Sequence, residues 1–295
     1  MRVAITGASG LIGSALVPHL RSHGHEVLRL VRRLAAAPDE ISWDPTAGTV
    51  DLEALAGVDG VVHLAGAGVG DHRWTESYKR EILQSRVQGT STIARAMAAL
   101  DPKPRALVCG SAIGYYGNRG DTPLDETSAP GTGFLADVVV AWEAAAAPAQ
   151  EAGIRTTFAR TGLVVAKGGG AFAKLMPIFR LGAGGKVGSG SQYWSFISLS
   201  DEIDALTHLL ESDLSGPVNL TAPTPVTNAE ATAALGKLLH RPTLLPVPAF
   251  ALKAVLGEFA DDVLSSARVL PRVLEASGFT FSQPTISEAL RAELV

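Results

Sequence analysis

Cysteine is nearly absent from this sequence. Cys109 is the only one in 295 residues, which excludes an internal disulfide framework and a multi-cysteine zinc site and fits a reducing compartment. An excess of basic charge is missing too: 25 Lys and Arg face 29 Asp and Glu, a formal net charge of -4. No global positive field gathers nucleic acid or anionic lipid. Apolar runs such as GVVHLAGAGVG are broken by glycine and fall short of the roughly 18 residues that suggest a membrane span. The seven histidines show no His-Glu-x-x-His spacing, so no metal site is expected. The opening MRVAITGASG has neither the length nor the cleavage site of a signal peptide, so a cytoplasmic protein is expected, with no nucleic-acid or membrane partner.

What is present is globular. Hydrophobic residues make up 46% and charged residues 18%, too apolar for a disordered tail, and nothing repeats with a solenoid period. The length is about twice the commonest domain size. Over the first 165 residues, short β-branched runs (Arg2–Thr6, Glu26–Val31, Gly60–Leu64, Arg105–Cys109, Arg155–Arg160) alternate with helical stretches (Ile12–His23, Thr75–Leu100, Phe134–Ala152). That alternation predicts an α/β fold with a doubly wound parallel sheet of the Rossmann type. Glycine-rich 181–192 and proline-rich 241–250 interrupt the pattern later. The expected division is a dinucleotide-binding domain over 1–165 that resumes at about 196–222. A smaller C-terminal substrate lobe takes 166–195 and 223–295, with a capping-box helix starting at Thr227 and a short terminal helix.

Gly7-Ala8-Ser9-Gly10-Leu11-Ile12-Gly13 follows the first strand and opens the first helix. Gly7 permits the tight turn, Gly10 lets backbone approach a pyrophosphate, and Gly13 permits close helix–strand packing. Free N–H groups and the positive end of the helix dipole then face the anion. After the second strand, where an NAD site usually carries Asp or Glu, the chain has Arg32-Arg33. A guanidinium there suits a 2′-phosphate, with Arg32 the better placed, so NADP(H) is the expected cofactor. The small residues of His63-Leu64-Ala65-Gly66-Ala67 suit close approach of ribose and adenine to backbone.

These features resemble the extended short-chain dehydrogenase/reductase superfamily over nearly the whole chain. WDP, SRVQGT, SAIGYYG, FLADVVVAWE, ARTGLVV, GSGSQYWSFISLSD and GPVNLTAP are similar to its atypical epimerase-like branch of the SDR39U type, with a C-terminal extension. The resemblance implies an NADP(H) site at Gly7, Gly10, Leu11, Ile12, Gly13, Arg32, Leu64 and Ala65, with Glu81 and Arg86 on the long helix and Val164 after the ARTG strand. It also exposes a departure. Reductases of the superfamily use Tyr and, four residues on, Lys as a proton-transfer pair. Here the tyrosines at 78, 115, 116 and 193 are followed by Ile82, Arg119, Gly120 and Ile197. By alignment the pair falls on Phe134 and Val138, and Arg86 stands where the superfamily commonly has Asn.

The remaining catalytic candidates are Ser111, matched to the polar strand-end residue that holds substrate oxygen, and Tyr116 or its neighbour Tyr115. Asp121, Asp125 and Glu126 read as solvated loop carboxylates, and Glu143 as a pairing residue. Gln192, Tyr193 and Trp194 are candidates to face a sugar or nucleotide ring, and Phe196 reads as core. Two functions follow as expectations. One is an NADP(H)-dependent oxidoreductase or nucleotide-sugar-epimerase-like enzyme acting on a small carbonyl or sugar-like molecule, as a monomer or homodimer. The other is a catalytically inactive NADP(H)-binding sensor or scaffold.

Overall fold

The computed structural model describes residues 1–295. Its centre is an eight-stranded sheet: β1 (Arg2–Thr6), β2 (Glu26–Val31), β3 (Glu40–Asp44), β4 (Thr49–Val50), β5 (Gly60–His63), β6 (Ala106–Ala112), β7 (Arg155–Thr161) and β8 (Gly216–Leu220). Their order is β8-β7-β6-β5-β1-β2-β3-β4. All pairings are parallel except β3 with β4. Chain order reverses between β1 and β5, which opens a crevice at the carboxyl ends of both strands.

The strands are apolar on both sides because helices cover both sides. Val3, Ile5, Val27, Val62 and Val108 pack with Leu16, Val17 and Leu20 of α1 (Leu11–Ser22) and with Leu206 and Leu209 further on. Ala4, Leu28, Leu30, Val61 and Leu107 turn the other way, onto Ile93 and Met97 of α2 (Glu76–Ala99) and onto Trp142. Trp142 belongs to α3 (Phe134–Ala144), and Leu206 and Leu209 to α4 (Leu199–Glu211). The helix expected over Phe134–Ala152 breaks after Ala144, and a second piece, Ala147–Glu151, starts around Pro148, which tolerates only a first turn. The short strands β3 and β4 were not expected; Glu40, Ile41 and Trp43 of β3 are buried against the sheet edge.

A third apolar cluster joins Phe172, Met176 and Phe179 of helix Gly170–Arg180 to Phe196, Leu235, Ile286 and Leu290. Phe196 is core, as expected, whereas Trp194 is half-buried against Phe172. The expected capping box of Thr227 with Glu230 is present, and the terminal helix has one too, Thr285 with Glu288. Asp201 at the start of α4 accepts the N–H groups of Ser282 and Gln283 and so ties the C-terminal segment to the sheet. No helix is long and apolar enough to cross a membrane.

Candidate active site

The glycine turn occupies the end of β1. Gly7 has φ +70°, and a Cβ there would lie 2.9 Å from the Leu64 carbonyl carbon; at Gly13 it would lie 2.2 Å from the Gly7 carbonyl oxygen. Neither approach tolerates a side chain. The Gly10 N–H donates to the Gly7 carbonyl at 2.9 Å, and Gly10 caps α1 without any side-chain bond. The first helical N–H groups, at Leu11 and Ile12, are left facing the crevice, which is the arrangement that binds a phosphate.

Thr6 fixes the opposite wall. Its hydroxyl meets His63 Nδ1 at 2.7 Å and accepts the N–H groups of Leu64 and Ala65 at 3.1 and 3.2 Å. Burial holds the His63 pKa down at about 4, so the ring is neutral. Leu64 and Ala65 therefore stand directly against Gly7. Leu11 reaches the other side: a Cβ on Gly169 would lie 3.3 Å from its Cδ1. Gly169 follows the short strand Leu163–Val165, in which Val164 pairs with Ile197. Gly7, Leu11, Leu64, Ala65 and Val164 thus converge on one crevice.

Arg86 enters the same crevice from α2. Its Nη1 donates to the carbonyls of Ala67 and Ile82 at 2.9 and 3.1 Å, and its guanidinium lies 4.9 Å over the Trp142 ring. It forms no ion pair, and burial pulls its pKa down to about 10, still charged at neutral pH. An unpaired, largely desolvated cation of this kind is costly unless an anion arrives. Glu81, on the same helix, is exposed and makes no contact of this kind.

The two arginines after β2 differ. Arg33 holds Glu40 with two bonds of 2.7 Å, which keeps that carboxylate down at about 2. Arg32 is exposed and unpaired. Thr6 sits opposite Leu30, so Arg32, the first residue past the carboxyl end of β2, lies on the side of the glycine turn.

Ser111 and Tyr116 belong to a buried network that the sequence did not reveal. Ser111 donates to Glu143 Oε1 at 2.6 Å, and Arg160 grips both oxygens of Glu143 at 2.8 Å. Arg160 also donates to the Tyr116 hydroxyl at 3.2 Å, which donates to Asn219 at 2.7 Å. Burial disfavours the Arg160 charge, but Glu143 and Tyr116 outweigh it and raise its pKa. Burial pushes the Tyr116 phenol up to about 12. Tyr116 has zero exposure, so the expectation that it touches substrate is corrected here: its hydroxyl is a core hydrogen-bonding group. Tyr115 is the half-buried member of the pair, its ring 3.5 Å under the Arg160 guanidinium and its hydroxyl unpartnered. The signal for this network was Arg160 itself, a cation at the end of an apolar strand that demands a partner. Glu143 pairs, as expected.

Phe134 and Val138 are both packed into the fold, Phe134 partly and Val138 fully buried. Phe134 packs edge-on against Trp74 at 5.0 Å, and Val138 is buried with Tyr78 and Ile82. Of the loop carboxylates, Asp125 caps its own turn, while Glu126 is half-buried and accepts the N–H groups of Asn219 and Val273. Beyond the Tyr115–Tyr116 turn lies a cavity of about 460 Å³ lined by Asp121, Gly188, Ser191, Gln192 and Ser266, among others.

A family model described as the NAD dependent epimerase/dehydratase family matches residues 3–220, and one described as a domain of unknown function (DUF1731) matches 247–293. An epimerase family protein of Mycobacterium tuberculosis is 47% identical over 290 residues, 98% of this chain and 96% of the relative. The human epimerase family protein SDR39U1 is 35% identical over 99% of both chains. The crystal structure of human SDR39U1 isoform 2 with NADPH superposes with a TM-score of 0.91 at 34% identity, covering 99% of this chain and 98% of that one. A nucleoside-diphosphate sugar epimerase from Corynebacterium glutamicum gives 0.83 at 36% identity, covering all of this chain and 58% of the other.

Proposed function

The chain belongs to the NAD dependent epimerase/dehydratase family, and from that premise we propose that it is an NADP(H)-dependent oxidoreductase or nucleotide-sugar-epimerase-like enzyme acting on a small carbonyl or sugar-like substrate. The observation that carries this reading is the glycine turn, where a Cβ at Gly13 would lie 2.2 Å from the Gly7 oxygen and the N–H groups of Leu11 and Ile12 are left free. The NADPH held by human SDR39U1 supports the same cofactor here. When bound, the nicotinamide supplies hydride exchange at its C4.

Each residue has a role in that reading. Leu11 and Ile12 donate to the bridging phosphates, and Arg32 selects the 2′-phosphate with its unpaired guanidinium. Gly10 and Ala65 let backbone approach the cofactor, with Leu64, Val164 and Glu81 beside it. Arg86 offers its remaining N–H groups to an anionic oxygen. Ser111 spends its proton on Glu143, so towards substrate it accepts from a hydroxyl rather than donating to a carbonyl. The half-buried Tyr115 hydroxyl, which has no hydrogen-bond partner, is then the donor left for a substrate oxygen. Gly13→Ala tests the reading: NADPH binding weakens at least about 100-fold through displacement of the turn, with the melting profile as a fold check. Unchanged binding overturns it.

One observation favours a second reading, a non-catalytic NADP(H) sensor. Phe134 and Val138 carry no transferable proton, Phe134 being half-buried and Val138 buried. Incubation of labelled NADPH with a panel of carbonyl compounds separates the two: stereospecific loss of label marks an enzyme, and tight binding with no exchange marks a sensor.

A further inference from the structure

We propose that residues 257–259 and Lys174 latch the loop 66–75 over the crevice, so that the C-terminal region gates exchange of the dinucleotide. The inference rests on the cofactor reading above. This loop leaves β5 at the residues that wall the glycine turn and runs to α2. It is held with unusual completeness for a connection that would ordinarily leave its backbone to water. Four successive carbonyls each accept from a side chain. Ala67 takes Arg86 Nη1 at 2.9 Å, Gly68 takes the Tyr78 hydroxyl, Val69 takes Trp74 Nε1 at 2.7 Å, and Gly70 takes Lys174 Nζ at 2.7 Å. The first three donors belong to the loop or α2. The fourth comes across the crevice from helix Gly170–Arg180.

The other cross-crevice contacts converge on one short segment. A Cβ on Gly70 would lie 3.2 Å from the Phe259 ring, and one on Gly257 would lie 2.9 Å from Arg73 Nε. Trp74 is wedged between Phe134 at 5.0 Å and Phe259 at 5.3 Å. Lys79 bonds Glu258 at 3.0 Å while also holding Glu76. Residues 257–259 lie inside the segment matched by the family model of unknown function. The loop is therefore clasped by its own helix on one side and by the C-terminal region on the other. A dinucleotide seated between the glycine turn and Arg86 leaves only when the second clasp opens. Because the clasp touches the loop and not the glycine turn, it raises the barrier for entry and exit alike.

Stopped-flow NADPH fluorescence on the full-length chain tests this. In Phe259→Ala the association and dissociation rates both rise, dissociation by about tenfold, while Kd moves by less than about threefold. Glu258→Gln removes only an exposed charge, keeps the wild-type melting profile, raises dissociation by about threefold, and shows a smaller acceleration by salt than wild type, because the Lys79–Glu258 pair is no longer there to be screened. Normal NADPH uptake with unchanged rates in both variants overturns the latch alone. Faster dissociation with unchanged association also overturns it, since that marks a lost cofactor contact. Absence of NADPH uptake by wild type overturns the cofactor reading and the latch together.

Discussion

Glu202 makes a quantitative prediction about stability. It lies in α4, fully buried, with one oxygen accepting from the Thr161 hydroxyl at 2.7 Å and the other without a partner. Burial raises its pKa to about 8, against an ordinary 4.5, with the Thr161 bond opposing only weakly. In the native protein at neutral pH it is a neutral acid, whereas in the unfolded chain it ionises above its ordinary value. Its contribution to stability is thus fully present below 4.5, lost as pH rises towards about 8, and constant beyond. Each tenfold step in proton affinity is worth about 1.4 kcal/mol, so the loss reaches about 3 kcal/mol at pH 7 and about 5 kcal/mol above pH 8. Glu202→Gln keeps an oxygen for Thr161 and cannot ionise. Urea unfolding at about pH 5 should find the two proteins within about 1 kcal/mol, and at about pH 8.5 the variant more stable by several kcal/mol. Parallel stability curves for the two proteins across that range would refute the reasoning.

Four further outcomes follow from the same geometry. Arg32→Ala should weaken NADPH by about 10- to 100-fold and leave NADH unchanged, since only the 2′-phosphate loses its charged partner; equal losses for both, by fluorescence titration, would contradict its role. Glu143→Gln breaks a buried pair whose side chains are 13% and 4% exposed, and should cost about 3–5 kcal/mol in urea unfolding because Arg160 is left unpaired. Tyr116→Phe strands Asn219 and should cost about 1–3 kcal/mol while leaving NADPH affinity unchanged by titration. Tyr115→Phe should leave stability nearly intact and lower turnover of any substrate found.

Legibility in the sequence followed the range of the interactions. β1 and β2 end where the apolar runs end, and the glycine turn is spelled out in seven consecutive residues because its geometry is local. The likeness to the epimerase-like branch came from such segments too, and the family comparison agrees with it. What stayed hidden depends on residues far apart. The Tyr116 hydroxyl meets Asn219 from 103 positions away, so no spacing rule could separate it from the half-buried Tyr115. Strand β3 alternates too briefly to stand out, and its burial is supplied by neighbours. The clasp on loop 66–75 was invisible for the same reason, since Trp74 and Phe259 meet only after the chain has folded back.

The central claim is that a phosphorylated dinucleotide rests on the amino end of α1. Isothermal titration of the purified full-length chain with NADPH and with NADH tests it most directly. The account predicts saturable NADPH binding at least about tenfold tighter than NADH, abolished by Gly13→Ala. A folded protein that gives no binding heat with either nucleotide, or that prefers NADH, would contradict it.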